Sequence, residues 1–383
     1  MTLRPITLLQ PPRIAYGCGV AAQAAEDLAA AGARRAFLVT SPPLGEIVAP
    51  VVRALEGAGV AVTVYSEVAT EPTVTSFGQA LAAARAARPD AVIGVGGGSA
   101  LDVAKLVAAL HDGEQGVREV FGIGLLRGRR TRLLCLPTTA GTGSEVSPNA
   151  ILLDEADALK KGVVSPHLVP DAAYVDPLLT RTMPPAVTAA TGLDALTHCV
   201  EAYANRFAHP IVDLYALEGI RLVGRYLERA VRDGQETEAR EGMALASLYG
   251  GLCLGPVNTA AVHALAYPLG GEFHVAHGVS NAVLLPAVLE HNLPAAPERY
   301  AQVARALGAE EGETDLDTAR RGVARIRDLS ARCGVPGGMG ALGVPREAIP
   351  HMAEAAMQVT RLLKNNLRDL TAADAEAIYR RAF

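Results

Sequence analysis

The sequence AVIGVGGGSALDVAKL, residues 91–106, joins an apolar run to a glycine-rich turn and then to a helical segment. The apolar run has no polar alternation, which is typical of a strand covered on both faces in a parallel sheet. Three glycines, Gly96 to Gly98, allow the backbone to approach a bulky anion and to adopt positive φ. The helix that follows presents free N–H groups and the positive end of its dipole. The stretch therefore predicts a strand–turn–helix unit that binds a pyrophosphate, although tight turns also use glycine for packing alone.

This turn differs from two common phosphate loops. It is not a Walker loop, because Lys105 is misplaced and no Gly-Lys-Ser/Thr follows. It also departs from the usual G-x-G-x-x-G dinucleotide fingerprint. A second polar loop, PTTAGTGSE at 137–145, follows another apolar run. Hydroxyls and glycines at the carboxyl edge of a parallel sheet lie where such sheets bind ligands, so the two loops together favour a nucleotide site.

The apolar periodicity changes along the chain. The first half alternates between predicted strands at 35–40, 60–66, 91–95 and 133–136 and predicted helices at 21–31, 46–57, 77–87 and 101–110. This alternation predicts a parallel sheet with crossover helices. After about residue 180 the periodicity is helical, with predicted helices at 187–205, 211–232, 238–254, 259–269, 295–307, 318–333 and 346–361. The sequence thus predicts an α/β domain over residues 1–184 and a separate all-α domain over residues 185–383.

Composition restricts the class of protein. Half of the 383 residues are hydrophobic and a fifth are charged, which suits a large buried core. A net charge of −5 and an aromatic content of 4% argue against nucleic acid as a partner. No apolar run reaches the roughly 18 to 20 residues that span a bilayer, and the first ten residues do not resemble a signal peptide. Five scattered cysteines suggest buried thiols in a reducing compartment, so we expect a cytoplasmic enzyme.

The helical half contains a candidate metal site. Asp194 and His198 are four residues apart, which places them on one face of a helix in an apolar segment. A second segment contains His263, His274 and His277. A lone histidine is more often a core or capping residue than a ligand, but the Asp/His pair strengthens the metal interpretation. One carboxylate with imidazoles suits Fe(II) or Zn(II), and the absence of cysteine disfavours a closed structural zinc site.

Four motifs together resemble the iron-containing alcohol dehydrogenase family. They are GGGSxxDxAK at 96–105, PTTAGTGSEV at 137–146, GxDALTH at 192–198 and the histidine segment at 263–278. Their order and spacing cover roughly residues 10–290. The resemblance implies a dehydroquinate synthase-like fold, in which residues 1–184 form a dinucleotide-binding α/β domain and residues 185–383 form an all-α metal-binding domain. It also implies NAD or NADP as cofactor, Fe(II) or alternatively Zn(II), and a homodimer or higher homo-oligomer.

The resemblance also implies roles for individual residues. The metal ligands would be Asp194, His198, His263 and His277, with His274 near the substrate. The cofactor pyrophosphate would lie on Gly97, Gly98 and Ser99, with Asp102 beside the nicotinamide end. Thr138, Thr139, Thr142 and Ser144 would line the cofactor, and Lys160 would reach a ribose. Asn149 aligns with a substrate-pocket position of lactaldehyde-reducing relatives, which suggests a small polar substrate.

Two positions depart from the family pattern. After the first predicted strand, at 35–40, the family commonly has Thr-Asp, whose carboxylate bonds the adenosine ribose, whereas this chain has Thr40-Ser41. Serine does not repel a 2′-phosphate, so NADP becomes plausible at Ser41. Histidine is common at the position of Tyr267, so a phenol changes the proton donor expected near the substrate.

The predicted reaction is hydride transfer between nicotinamide C4 and a small primary alcohol, diol or hydroxy-acid semialdehyde at the metal. The metal would act as a Lewis acid toward the alcohol oxygen. Alternatives within the superfamily are a metal-independent maleylacetate reductase-like enzyme and a dehydroquinate synthase-like lyase, although the latter needs a basic phosphate-binding cluster that is not evident near the histidines. Glycerol dehydrogenase relatives use fewer histidine ligands, whereas this chain has a residue of the ligand type at all four positions that the resemblance implies. A non-catalytic nucleotide-binding protein is the alternative from another class.

Overall fold

The computed structural model describes residues 3–68, 71–157 and 159–383, and these form two compact units. The α/β unit comprises Leu9–Thr139 and Gly143–Thr182. The helical unit comprises Met183–Phe383, the short segment Ala140–Thr142 and the described residues before residue 9. The sequence prediction placed a single boundary at residue 184, so it did not anticipate that part of the second polar loop belongs to the helical unit. Among the described residues, no helix is both long and apolar enough to cross a membrane.

The α/β unit is built on a parallel sheet. Its strands are β1 (Arg13–Tyr16), β2 (Arg35–Val39), β3 (Ala61–Tyr65), β4 (Ala91–Gly96), β6 (Arg132–Pro137) and β9 (Ala172–Val175). They lie in the order β1-β9-β6-β4-β2-β3, and every pairing between them is parallel. The predicted parallel sheet is therefore confirmed. The edge strand β1 and its neighbour β9, each four residues long, were not predicted.

Both faces of this sheet are covered by helices. The helices are α1 (Gln23–Ala30), α2 (Gly45–Gly57), α3 (Val74–Ala87) and α4 (Gly98–Leu110). In β2, Phe37 and Val39 pack in one hydrophobic cluster with residues of α3 and α4. Ala36 and Leu38 pack on the opposite face in a cluster with residues of α1 and α2. Because successive side chains point to opposite faces, a strand covered on both sides must be apolar throughout, which explains its sequence.

The glycines between β4 and α4 serve close packing. A Cβ on Gly96 would lie 2.6 Å from the Cβ of Ala100, and a Cβ on Gly94 would lie 2.9 Å from the Cβ of Ala104. The helix therefore approaches its own strand closely only because these side chains are missing. The expectation of positive φ is wrong, since none of Gly96, Gly97 and Gly98 adopts it.

A smaller sheet completes the α/β unit. It contains β5 (Gly122–Ile123), β7 (Asn149–Asp154) and β8 (Leu159–Val164), in the order β5-β8-β7. Strands β7 and β8 are antiparallel, whereas β5 and β8 are parallel. The sequence analysis did not predict this sheet, because its half-exposed strands contain the acidic and lysine residues that usually indicate loops.

The helical unit follows from Met183. Its helices are α5 (Pro185–Tyr203), α6 (Pro210–Arg232), α7 (Thr237–Leu254), α8 (Ala261–Phe273), α9 (His277–Asn292), α10 (Pro297–Ala306), α11 (Asp315–Arg332), α12 (Ile349–Met357), α13 (Thr360–Leu363) and α14 (Ala372–Arg381). Helix α9 was missed, because Gly278 and Pro286 interrupt a pattern that burial nonetheless keeps helical. The single helix predicted over 346–361 is two helices, α12 and α13, with a break near Gln358.

Candidate metal centre and nucleotide-binding loops

Three side chains from three helices meet in the core of the helical unit. Asp194 lies on α5, His263 on α8, and His277 is the first residue of α9. One ligand atom from each lies within 4.8 Å of the others. The Nε2 atoms of His263 and His277 are each 3.6 Å from Asp194 Oδ1. Residues distant in sequence thus converge on a single small volume.

His198 lies beside this group but outside its tightest part. Its Nε2 is 4.0 Å from Asp194 Oδ1, as the i, i+4 spacing on α5 predicts. Its ring stacks on that of His263 with 4.7 Å between ring centroids. Its Nδ1 donates a hydrogen bond to the carbonyl oxygen of Gly141, at 3.3 Å. The ring is therefore held so that its other nitrogen faces the carboxylate.

The donor set fits a divalent cation. A tetrahedral site with bonds of about 2.1 Å sets its ligand atoms about 3.4 Å apart, close to the distances around Asp194 Oδ1. Histidine ligates through a nitrogen that carries no proton, and its other nitrogen needs a hydrogen-bond acceptor. Both His198 and His263 satisfy this condition, because the Nδ1–H of each donates to an oxygen and leaves the Nε2 lone pair free.

Glu201 fixes the orientation of His263. Its Oε2 accepts a hydrogen bond of 2.6 Å from His263 Nδ1, and its Oε1 accepts one of 2.6 Å from the backbone N–H of Val262. The Glu201 and His263 side chains are only 4% and 5% exposed. A buried carboxylate with both oxygens occupied holds the imidazole in one tautomer and one rotation.

Asn281 faces the centre of the cluster. Its Nδ2 lies 2.7 Å from Asp194 Oδ1, 3.2 Å from His263 Nε2 and 3.3 Å from His277 Nε2. One amide group is thus shared among three acceptors. Its Oδ1 is buried and has no hydrogen-bond partner among the described residues. This excess of acceptor atoms is the environment that a cation would complete.

The charges of the cluster suit ligation. Burial would raise the pKa of Asp194, but the three histidines and Asn281 together hold it below its usual value. Burial lowers the pKa of His198, which favours the neutral imidazole. The His277 side chain is 30% exposed, whereas that of Asp194 is 3% exposed. The cluster therefore places one carboxylate among imidazole nitrogens and is open on the His277 side.

Two glycines allow the elements around the cluster to approach closely. A Cβ on Gly278 would lie 2.3 Å from the backbone oxygen of Ala190, so α9 touches α5 directly at this point. A Cβ on Gly141 would lie 2.7 Å from the Cβ of Thr191. Gly278 follows His277, and Gly141 supplies the carbonyl that orients His198, so both glycines affect the positions of candidate ligands.

The other two residues predicted near the substrate occupy different positions. His274 is exposed and caps the C-terminus of α8 with a positive φ of 53°. Tyr267 lies one turn after His263 on α8, and its hydroxyl is 3.5 Å from the guanidinium of Arg361. The phenol is thus adjacent to a cation, which the sequence pattern did not indicate.

The first polar loop forms the N-terminus of α4. Gly97 is the N-cap residue of this helix, and no side chain caps the end, which begins with Gly98 and Ser99. A Cβ on Gly97 would lie 3.2 Å from Cγ2 of Thr139. The backbone N–H of Thr138 donates to the carbonyl of Gly96, at 3.0 Å. The carboxyl ends of β4 and β6 thus present the two loops side by side.

Asp102 and Lys105 tie α4 to the segment that follows the second loop. Asp102 accepts from the Ser144 hydroxyl at 2.5 Å and from the backbone N–H of Ile151 at 2.9 Å. Lys105 is fully buried and donates to the oxygens of Ser144, to Ser147 and to the carbonyl of Asn149. Burial raises the pKa of Asp102 and lowers that of Lys105. These bonds fix the position of Ser144.

The remaining predicted cofactor and substrate residues are Ser41, Lys160, Asn149 and Thr142. Ser41 follows β2 and lines a cavity. Lys160 lies on β8, and its Nζ is 2.8 Å from Glu71 Oε2. Asn149 begins β7, and its Oδ1 is buried with no partner among the described residues. Thr142 lies in the loop segment that belongs to the helical unit.

Sequence reasoning missed Glu201, Asn281 and the full role of Lys105. A signal existed for Glu201, because it lies seven residues after Asp194 and so on the same face of α5. Asn281 lies four residues after His277 on α9, but the missed helix concealed that spacing. Lys105 was considered only as a phosphate-loop lysine and was set aside.

Comparison with known proteins gives matches along the whole chain. Residues 11–177 match the family described as iron-containing alcohol dehydrogenase, and residues 188–383 match the Fe-containing alcohol dehydrogenase family, C-terminal. The chain is 41% identical to long-chain-alcohol dehydrogenase 1 of Geobacillus thermodenitrificans, covering 97% of this chain and 95% of that protein. It is 37% identical to 1,3-propanediol dehydrogenase of Klebsiella pneumoniae, covering all of both chains. The crystal structure of a 1,3-propanediol oxidoreductase has a TM-score of 0.96 at 36% identity, covering 99% of this chain and 100% of that one.

Proposed function

Because this chain belongs to the iron-containing alcohol dehydrogenase family, we propose that its Asp194 cluster holds a divalent cation at which a small alcohol or aldehyde reacts. The predicted family, fold class and enzyme class are confirmed: the protein is an NAD(P)-linked alcohol dehydrogenase or aldehyde reductase. The substrate class that we propose is a small primary alcohol, diol or hydroxy-acid semialdehyde.

The observation that carries the proposed metal site is the convergence of ligand atoms from Asp194, His263 and His277 within 4.8 Å. We assign His198 as the fourth ligand, since its Nε2 faces the same carboxylate oxygen at 4.0 Å. Oxygen and imidazole donors without a thiolate suit Fe(II), with Zn(II) as the alternative.

The residues of the chain prepare this site in three ways. Glu201 and the Gly141 carbonyl keep the protons of two imidazoles on Nδ1, so the lone pairs face inward. Asp194 brings one negative charge and leaves a net positive centre that suits an anionic oxygen. A cation held by these residues would supply Lewis acidity toward the alcohol oxygen, and a bound nicotinamide would supply the hydride chemistry. The exposed edge of His277 leaves one side open for the reacting oxygen.

The same proposal assigns the two loops of the α/β unit to the cofactor. The helix end at Gly97, Gly98 and Ser99 suits a pyrophosphate, because no side chain caps it. Thr138, Thr139 and Ser144 lie at or just beyond the adjacent strand end. Both carboxylate oxygens of Asp102 accept hydrogen bonds from the chain, which suits a role in lining the cofactor site better than a role in proton transfer.

The test combines metal analysis with a substrate screen. Purified protein loaded with Fe(II) or Zn(II) is assayed by NAD(P)H absorbance against short alcohols, diols and hydroxy acids. We expect His263→Ala to lose both bound metal and turnover while its circular dichroism stays native. His351→Ala is the matched control, because His351 lies on the surface outside the cluster. Turnover by metal-free protein would contradict the proposal.

Two further proposals concern the state of the protein in the cell. No disulfide joins the described cysteines, which supports a cytoplasmic location; four of the five are buried as expected, whereas Cys18 is exposed. Family membership supports a homodimer or larger homo-oligomer. Light scattering of the purified protein measures that state directly.

A further inference from the structure

A cavity of 440 Å³ lies at the carboxyl end of β2 in the α/β unit. Its walls come from the segment after β2, from α2, and from the end of β3 and the residue beyond it. Strand β2 is the direct neighbour of β4, whose carboxyl end leads into the glycine turn of α4. A dinucleotide with its pyrophosphate on that turn would have to extend by only one strand spacing to reach this cavity.

We infer that this cavity binds the adenosine 2′-phosphate of NADP(H), with Arg53 as the cation that recognises the phosphate and Ser41 as the residue that admits it. The inference rests on the proposed nucleotide site but goes beyond it, because it assigns a preference for NADP over NAD. Three features of the cavity carry it, namely its charge, the position of Arg53 and an unpaired hydroxyl.

The charge of the cavity is unusual for an NAD site. Dinucleotide sites that select NAD place a carboxylate where the ribose 2′-hydroxyl binds, and that carboxylate repels a 2′-phosphate. Here Ser41 follows the strand end, and none of the described residues that line the cavity is acidic. Glu67 accepts a hydrogen bond from the Ser66 hydroxyl, but Glu67 is exposed and is not part of the lining.

Arg53 is placed to meet a phosphate. It lies on the same face of α2 as Ala49 and Gly45, one and two turns closer to the helix N-terminus, and all three line the cavity. These small residues leave the guanidinium room along the helix toward the end where Ser41 lies. Arg53 is exposed, and the described residues provide no ion-pair partner for it. An arginine without a partner, at the edge of a cavity without acidic groups, is a ready phosphate ligand.

Thr40 provides the independent observation. Its side chain is 2% exposed, it lines the cavity, and its Oγ1 has no hydrogen-bond partner among the described residues. Leaving a buried hydroxyl unsatisfied is costly, so a polar ligand group in the cavity would remove that cost. Val48, Val52 and Val64 supply an apolar wall for the rest of the nucleoside.

The test measures binding of adenosine 2′,5′-bisphosphate and of 5′-AMP to the full chain by calorimetry. We expect the bisphosphate to bind at least about tenfold more tightly, since an arginine–phosphate pair is a charge-assisted contact. Arg53→Ala should abolish most of this difference and leave 5′-AMP affinity unchanged. Arg127→Ala is the matched control, because it removes an exposed arginine of the same unit that does not line the cavity. Ser41→Asp should weaken only the bisphosphate.

Equal affinity for the two nucleotides, or a difference that persists in Arg53→Ala, would overturn the inference. Neither probe contains nicotinamide or needs the metal, so an inactive protein still gives a clear answer. Turnover of alcohols with a higher kcat/KM for NAD than for NADP would refute this inference and leave the proposed function standing. Tight bisphosphate binding without turnover of any alcohol or aldehyde would refute only the proposed function.

Discussion

Replacing Glu201 by Gln should weaken metal binding without unfolding the protein. Glu201 accepts two hydrogen bonds, from His263 Nδ1 and from the Val262 N–H, with one carboxylate oxygen for each. Glutamine has the same shape but only one acceptor oxygen, and its amide N–H₂ must face the other donor. Either the Val262 N–H loses its acceptor, or His263 moves its proton to Nε2 and blocks the lone pair that would bind the cation.

The expected loss follows from the burial of this pair. A buried hydrogen bond to a charged group contributes about 1.5–3 kcal/mol, and a donor left unsatisfied costs a similar amount. A free-energy change of about 1.4 kcal/mol corresponds to a tenfold change in an equilibrium constant. A loss of this size or twice as large would lower the metal affinity about 10- to 100-fold. Because both side chains are at most 5% exposed, water offers little compensation.

The assay is competition with a chromophoric chelator for Zn(II) or Fe(II), carried out on parent and variant side by side. Glu272→Gln is a matched control, since Glu272 also pairs with a histidine, at 3.1 Å from His351, but lies outside the cluster. ¹⁵N chemical shifts of His263 report its tautomer and separate this effect from general destabilisation. A folded Glu201→Gln protein that binds metal as tightly as the parent would refute the role assigned to this carboxylate.

Two other substitutions test the surroundings of the site. Gly278→Ala should lower the free energy of unfolding by about 1–3 kcal/mol and also weaken metal binding, because the new methyl group pushes α9 off the Ala190 backbone of α5. Gly337→Ala, which meets nothing within 4 Å, is its control, and an unchanged melting temperature and metal affinity for Gly278→Ala would contradict the packing argument. Burial raises the pKa of Glu145 from 4.5 to about 7, so between those values the unfolded chain releases a proton that the folded chain keeps, and stability falls as pH rises. Glu145→Gln should remove this decline in stability and raise the free energy of unfolding at pH 8 by up to about 3 kcal/mol. Urea titrations of parent and variant at pH 4.5 and pH 8 measure the effect. If the free energy of unfolding changes equally with pH in both proteins, the role assigned to Glu145 is wrong.

Features that depend on residues close together in the sequence could be predicted from it. The apolar run of β4 is unambiguous because both of its faces are buried, and the Asp194/His198 spacing follows from helix geometry alone. Helix α9 escaped recognition because its two breaking residues, Gly278 and Pro286, are tolerated only through tertiary packing.

Long-range contacts set the limit for the site. The hydrogen bond between Glu201 and His263 joins residues 62 positions apart, and no spacing rule predicts it. The same holds for Asn281, whose amide reaches Asp194 across 87 positions. The residue types alone suggest histidine and aspartate as metal ligands. The groups that orient them, Glu201 and Asn281, can be identified only from the packing of α5, α8 and α9.

The origin of the ligand atoms on three separate helices has a consequence for how the protein matures. No two-helix fragment offers the full donor set, so an ion can be held tightly only after α5, α8 and α9 have docked. Binding of the proposed cation would then follow folding, and its binding free energy would stabilise the packing of these three helices against one another. If the proposed site holds its cation in the cell, protein made without that cation would be folded but looser, and proteases would cut it more readily than the loaded protein.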